Sequence, residues 1–265
     1  MKKVTDHDFI IKGLFLMLLS LSSAWGMEKL ILFGGHGYTP EAAAKFVDWA
    51  GGKEANILIL PWASDDPTYE FEEVESVLSD YHPKQMIRGY SPDEKSFNKT
   101  EIMAQIDSAT GIFIPGGDQV DLMERINQDP EIRQAILKSY HNGVVYAGFS
   151  AGTAAASKTM ITGRGDETKI DPSESAIAEG LGLVTQFIVD QHFIARKRQN
   201  RLMSALMKSE EKLAVGIDEA TALVVEDGVK GTVFGASYVM LFRKLNSERE
   251  FAISLLKNGD TVDLQ

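Results

Sequence analysis

The sequence predicts an α/β protein whose mainly parallel sheet is flanked by helices, with short antiparallel strands toward the C-terminus. Three observations carry that prediction. Short, uninterrupted apolar runs recur from Leu30 to Tyr146, as strands buried on both faces require. Helix-period segments of about 10–15 residues lie between them, the spacing of βαβ units. After Leu213 the apolar runs crowd together and are joined by tight turns, including Asp227-Gly228, which points to antiparallel pairs.

Taken in order, Leu30–Phe33 is a first strand ending in Gly34-Gly35-His36-Gly37, and a helix follows through Ala42, Ala43, Phe46, Val47 and Ala50. Ile57–Leu60 is a second strand, closed by Pro61. An amphipathic acidic segment lies around Tyr69–Leu78, and Gln85–Arg88 is expected as a third strand. Ile112–Ile114 is a fourth, ended by Pro115-Gly116-Gly117-Asp118-Gln119. Helical periods over Val120–Ile126 and Glu131–Tyr140 lead to the strand Val144–Tyr146. Further strands are expected at Val184–Val189, Leu213–Ile217, Thr221–Val225, Lys230–Phe234 and Tyr238–Phe242. Ligands of such sheets bind where loops leave the carboxyl ends of strands. The loops at Gly34, Pro115 and Ser150 all fall at those ends.

The 265 residues, with 44% hydrophobic and 25% charged content, can bury one large α/β domain spanning 27–265. A net charge of -11 argues against nucleic acid or an anionic membrane surface as partner. With no cysteine, thiol nucleophiles, disulfides and thiolate metal sites are excluded. There is no His-Glu-x-x-His metal motif and no Gly-Lys-Ser/Thr phosphate loop, and Gly34-Gly35-His36-Gly37 has the wrong spacing for a dinucleotide loop. No metal or cofactor is therefore expected. Residues 1–26 have the parts of a cleaved signal peptide: Lys2, Lys3 and Lys12, an apolar run over Gly13–Leu21, then small residues at Ala24 and Gly26. That predicts a secreted or periplasmic protein without a stable membrane anchor, or a cytoplasmic one if translation starts at Met27.

Between the strand at Val144 and the helix formers Ala154–Ala156 stands Gly148-Phe149-Ser150-Ala151-Gly152, the spacing of a nucleophile elbow. Tiny neighbours let the chain turn sharply enough for the Ser150 hydroxyl to stand clear. The Ala151 N–H then lies at a helix N-terminus, where it can stabilise developing negative charge. A serine nucleophile needs a base and the base an orienting acceptor. His36 and His192 are the histidines at strand ends, with His192 favoured. Asp218 and Glu219, adjacent acids among apolar neighbours, are the candidate acceptors. Adjacent side chains point to opposite sides, so one faces the histidine and the other caps backbone N–H groups.

Pro115-Gly116-Gly117-Asp118-Gln119, Gly148-Phe149-Ser150-Ala151-Gly152, Asp190-Gln191-His192-Phe193-x-x-Arg196-x-Arg198-x-x-Arg201-Leu202 and Gly216-Ile217-Asp218-Glu219 resemble, in that order, the signatures of the cyanophycinase family. That family is a branch of the dipeptidase-E-like serine peptidases, with a class I glutamine amidotransferase-like core; Phe149 departs from its usual small polar residue. The resemblance implies a Ser150–His192–Glu219 triad and an oxyanion hole made by the N–H groups of Ala151 and of Gly117 in the Gly116-Gly117 pair. It also implies cleavage of cyanophycin, a poly-aspartate with arginine on each side-chain carboxyl, to β-Asp-Arg dipeptides. Each repeat presents a guanidinium and a free carboxylate, which Gln119, Asp190, Gln191, Arg196, Arg198 and Arg201 are expected to bind. The alternatives are an aspartyl or isoaspartyl dipeptidase with the same triad, and a noncatalytic amidotransferase-like binding protein. Relatives that self-associate add a homodimer to the expectations.

Overall fold

A computed structural model describes residues 27–164 and 167–265; the signal-peptide reading concerns residues 1–26, outside the described residues. The main sheet has eight strands in the spatial order Thr261–Asp263, Lys230–Gly235, Thr221–Glu226, Lys29–Phe33, Val145–Phe149, Gly111–Ile114, Asn56–Ile59 and Gln85–Arg88. Its parallel half is built from β1 (Lys29–Phe33), β2 (Asn56–Ile59), β3 (Gln85–Arg88), β4 (Gly111–Ile114) and β5 (Val145–Phe149). Alternation along these strands divides the core. Ile31, Phe33, Ile57, Ile59, Phe113 and Val145 face α1 (Pro40–Trp49) and α2 (Pro67–Ser79). Leu30, Leu32, Leu58, Ile112, Ile114 and Tyr146 face α3 (Lys99–Ser108), α4 (Gln119–Asn127), α5 (Pro130–His141) and α6 (Ala151–Ala155). With both faces covered, almost every strand position is apolar, which is why the runs are uninterrupted. Four helices start on a side-chain cap: Asp66, Asn98, Asp118 and Asp129 each accept a first-turn N–H.

After α6 the chain forms a small ribbon of β6 (Thr159–Ile161) and β7 (Ile177–Glu179). It then enters a second, four-stranded sheet in the spatial order Phe251–Leu256, Val239–Lys244, Leu213–Ile217 and Phe187–Asp190. There β8 (Phe187–Asp190) runs parallel to β9 (Leu213–Ile217), while β12 (Val239–Lys244) and β13 (Phe251–Leu256) are antiparallel additions. α7 (Gln199–Lys208) buries Leu202, Ala205 and Leu206 on this sheet against Ile188, Ala214 and Phe242. The C-terminal strands thus do not simply extend one sheet: β10 (Thr221–Glu226), β11 (Lys230–Gly235) and β14 (Thr261–Asp263) join the main sheet, whereas β9 and β12 belong to the other.

The β9–β10 junction connects the two sheets and sets the position of the site. β10 pairs with β1, Phe33 opposite Ala222, and β1 pairs with β5, Phe33 opposite Phe149. Ile114 of β4 lies opposite Gly148. The ends of β1, β4 and β5, the turn after β8 and the β9–β10 junction therefore meet at one place.

Candidate active site

Ser150 sits between β5 and α6 with φ 50° and ψ -103°, a conformation that side chains seldom adopt and that surrounding packing must hold. The packing explains both glycines of the motif. A Cβ on Gly152 would stand 2.0 Å from the Ile114 carbonyl oxygen, and one on Gly148 would stand 2.5 Å from Gly152 backbone atoms. Thr153 Oγ1 fixes the elbow further, reaching the carbonyl oxygens of Phe33 and Gly148 at 2.7 Å each, and Tyr146 Oη donates to Gly152 O at 2.8 Å. Gly152 N–H is given to Pro115 O. The Ala151 N–H heads the helix, where no intrahelical acceptor exists.

His192 comes from the turn after β8, two residues past the strand end, and adopts φ 46°. Its N–H donates to Gly34 O at 2.7 Å. Its ring rests on Gly35, where a Cβ would lie 2.3 Å from Cε1, while a Cβ on Gly34 would stand 2.0 Å from the Asp218 carbonyl oxygen; Gly35 makes room for the imidazole and Gly34 for the β9–β10 junction. His192 Nε2 is 3.0 Å from Ser150 Oγ, and Nδ1 is 2.7 Å from Glu219 Oε1. A carboxylate only accepts, so Nδ1 carries the proton and Nε2 is free to accept from the serine. Burial lowers the imidazole pKa by more than the Glu219 hydrogen bond restores, and the charges of Arg196 and Arg198 lower it further. The ring is therefore held neutral and able to take a proton. His36 is exposed on the neighbouring loop, and the imidazole at Ser150 is that of His192.

The adjacent acids divide as alternation requires. Glu219 faces His192, while Asp218 Oδ1 accepts from the N–H groups of Ile194 and Ala195 at 2.9 Å each, and its Oδ2 accepts from Ser237 Oγ at 2.6 Å. Asp218 thereby clamps the turn that carries His192. Phe193 anchors the same turn, its ring lying over Gly216 where a Cβ would come within 2.3 Å.

The residues expected to contact substrate are placed less uniformly. Asp190 is 1% exposed and both its oxygens are taken by Arg201, Nη2 at 2.6 Å and Nε at 2.8 Å; Arg201 Nη1 also pairs with Glu167. A buried carboxylate is here neutralised by a guanidinium of the same chain. Burial alone would lower the Arg201 pKa, but Asp190 and Glu167 hold it above its ordinary value. Arg198 Nη1 donates to the backbone O and the Oε1 of Gln191, each at 2.8 Å, and that Oε1 is 3.5 Å from Ser150 Oγ. Burial, then the neighbouring Arg201, brings the Arg198 pKa down to about 10. Only Arg196 is open, with its side chain 53% exposed and its Nε 3.9 Å from Glu219 Oε1. The segment is not one helix: Arg196 lies in a turn, Arg198 is the N-cap of α7, and only Arg201 is helical. Gln119 is buried and donates from Nε2 to Ile161 O at 2.9 Å. At Pro115–Gln119, the position of a Gly116 Cβ is 3.8 Å from Ser150 Cβ; a Cβ on Gly117 would collide with Ala63 O at 2.0 Å. Among the described residues no cluster of three or more His, Cys, Asp or Glu could hold a metal ion.

Residues 30–232 match the model of peptidase family S51. The chain belongs to peptidase family S51. It is 32% identical over 181 residues to a cyanophycinase of Synechococcus elongatus, a match covering 68% of this chain and 56% of that protein. A cyanophycinase of Geminocystis herdmanii is 31% identical over 219 residues, covering 81% of this chain and 80% of that protein. The match thus spans little more than half the length of the first relative. In fold, the chain superimposes on a peptidase from an acI-B1 Actinobacterium with a TM-score of 0.71 at 19% identity, over 89% of this chain and 97% of that one.

The sequence motifs named Ser150, His192 and Glu219 but missed what supports them. Gly34-Gly35 was visible as a strand-end loop, but that one glycine makes room for the His192 ring and the other for the Asp218 backbone was not. Tyr38 and Glu70, described below, had no motif to mark them.

Proposed function

We propose that this S51 family member is a serine-type peptidase that cleaves aspartyl peptides of the cyanophycin type. The observation that carries the reading is the unbroken relay of Ser150 Oγ, His192 Nε2 and Nδ1, and Glu219 Oε1 at 3.0 and 2.7 Å. Ser150 Oγ attacks the scissile carbonyl carbon while its proton passes to His192 Nε2. The imidazolium formed is stabilised by Glu219, which also fixes the tautomer. The carbonyl oxygen, now negative, is held by the N–H groups of Ala151 and Gly117, each donor contributing roughly 3 kcal/mol in comparable hydrolases. Collapse breaks the C–N bond as His192 returns the proton to the leaving amine. Water, deprotonated by His192, then releases the acyl group.

Cyanophycin as substrate is supported by the kinship with cyanophycinases and by Arg196, an open cation at the rim of the relay. The test incubates the protein and its Ser150→Ala variant with insoluble cyanophycin and assays soluble β-Asp-Arg. Release by the unaltered protein alone is the expected result. Equal release by both would remove Ser150 from the mechanism. Release by neither, with cleavage of small aspartyl dipeptides retained, would move the substrate to dipeptides.

A further inference from the structure

Beside the nucleophile stands a group that acyl transfer does not ask for. Glu70 of α2 lies over the Gly116 turn: the point 3.8 Å from Ser150 Cβ where a Gly116 Cβ would stand is 3.7 Å from Glu70 Oε2. The Gly116 N–H faces that carboxylate. Glu73, three positions on, shares the helix face. Neither acid has a cationic partner within salt-bridge distance among the described residues. Burial, then the charge of Glu73, raises the Glu70 pKa above its ordinary value. Next to them the Tyr38 ring stacks on Phe149 at 4.4 Å between centroids. Its hydroxyl lies in the field of both acids, withdrawn from solvent and without a hydrogen-bond partner.

An unneutralised carboxylate at this position opposes the reaction. Attack by Ser150 builds negative charge on the carbonyl oxygen, and a fixed anion a few ångströms away raises the energy of that state. The opposition vanishes if a cation sits between the acids and the reacting carbonyl. Arg198 and Arg201 are committed to Gln191, Asp190 and Glu167, and Arg196 lies against Glu219, its Nε 3.9 Å from Oε1, so a cation carried by the substrate would supply the missing charge. A guanidinium fits the surroundings best, since it can pair side-on with a carboxylate, donate to an idle hydroxyl and lie against an aromatic face.

We propose that Glu70, with Glu73 behind it and the Tyr38–Phe149 stack as its floor, is a specificity subsite for a guanidinium or ammonium group carried next to the scissile carbonyl. The subsite rests on the serine-peptidase reading of the same centre and adds a requirement to it: substrate charge completes the electrostatics of the oxyanion.

The experiment measures binding in the Ser150→Ala background, where nothing is cleaved. The ligands are a short β-aspartyl-arginine oligomer and its counterpart with citrulline, the neutral isostere of arginine. The arginine oligomer is expected to bind about tenfold tighter or better, and adding Glu70→Gln should bring the two ligands to within about twofold. Glu70→Asp, which keeps the charge but draws it back, should fall between, with circular dichroism confirming that each variant folds. Equal binding of the two oligomers without Glu70→Gln, or a preference untouched by it, would overturn the subsite. Failure of a fluorophosphonate to label Ser150 in the unaltered protein would instead overturn the serine mechanism, leaving the binding ratio as a separate result.

Discussion

Ser150 and His192 face each other across 3.0 Å yet are fixed by opposite means. The serine is set by backbone: glycines at 148 and 152 let β4, β5 and α6 close to distances no side chain would permit, and a threonine hydroxyl ties the turn. The histidine is set by side-chain charge: Asp218 clamps its turn, Arg198 holds the preceding Gln191, and the Asp190–Arg201 pair lies buried beneath. The serine half is sensitive to size, while the histidine half depends on buried charge as well as on the room left by Gly35 and Gly216. The halves belong to different sheets, and the Gly34-Gly35 turn, the β9–β10 junction and the hydrogen bond from Val189 N–H to Ser157 Oγ are among the contacts that bind them together.

The largest effect should come from breaking the charged half at its deepest point. Arg201→Met leaves Asp190 ionised and unpaired inside the protein, and urea unfolding should show a loss of about 3–5 kcal/mol. Adding Asp190→Leu should recover much of that loss, because the uncompensated charge is then gone. Next comes the backbone half. Gly152→Ala places a methyl 2.0 Å from Ile114 O, so the elbow must shift, and a displacement of about 1 Å costs roughly a hundredfold in kcat. Steady-state kinetics on an aspartyl peptide would measure it. The smallest effect separates charge from structure. His192 must be neutral to act, and Arg196 helps to hold its pKa down. Arg196→Gln removes a positive charge that disfavours the imidazolium, so the pKa rises and the acid limb of kcat/KM moves to higher pH. Because Arg196 is largely exposed, added salt should shrink the difference.

How much of this could be read from residues alone follows the same division. Strands covered on both faces announce themselves as apolar runs, so β1, β2, β4 and β5 were legible. The backbone half of the site was legible too, because its requirement for small residues is written locally as Gly148-x-Ser150-x-Gly152. The alternation at Asp218 and Glu219 foretold one acid on the histidine and one on backbone N–H groups. By contrast α3 was missed: its face is mostly polar, although Asn98 three residues before Glu101 was a usable capping signal. β14 escaped because it is short and largely exposed; β13 was missed although its residues, Phe-Ala-Ile-Ser-Leu-Leu, are mostly apolar. The pairing of Asp190 with Arg201 was not legible, since eleven residues of separation say nothing about whether two charges find each other. Nothing in the sequence set Glu70 apart from the other acids of the Tyr69–Leu78 stretch; its closeness to Ser150 is a product of the folded sheet edge.

The central claim is that Ser150, His192 and Glu219 act as one chemical unit, and its most direct test is the rate of fluorophosphonate labelling mapped to Ser150 by mass spectrometry. Labelling confined to Ser150 in the unaltered protein, and slower by about a hundredfold or more in His192→Ala, is the predicted result. Labelling of Ser150 at the same rate with His192 removed would contradict it.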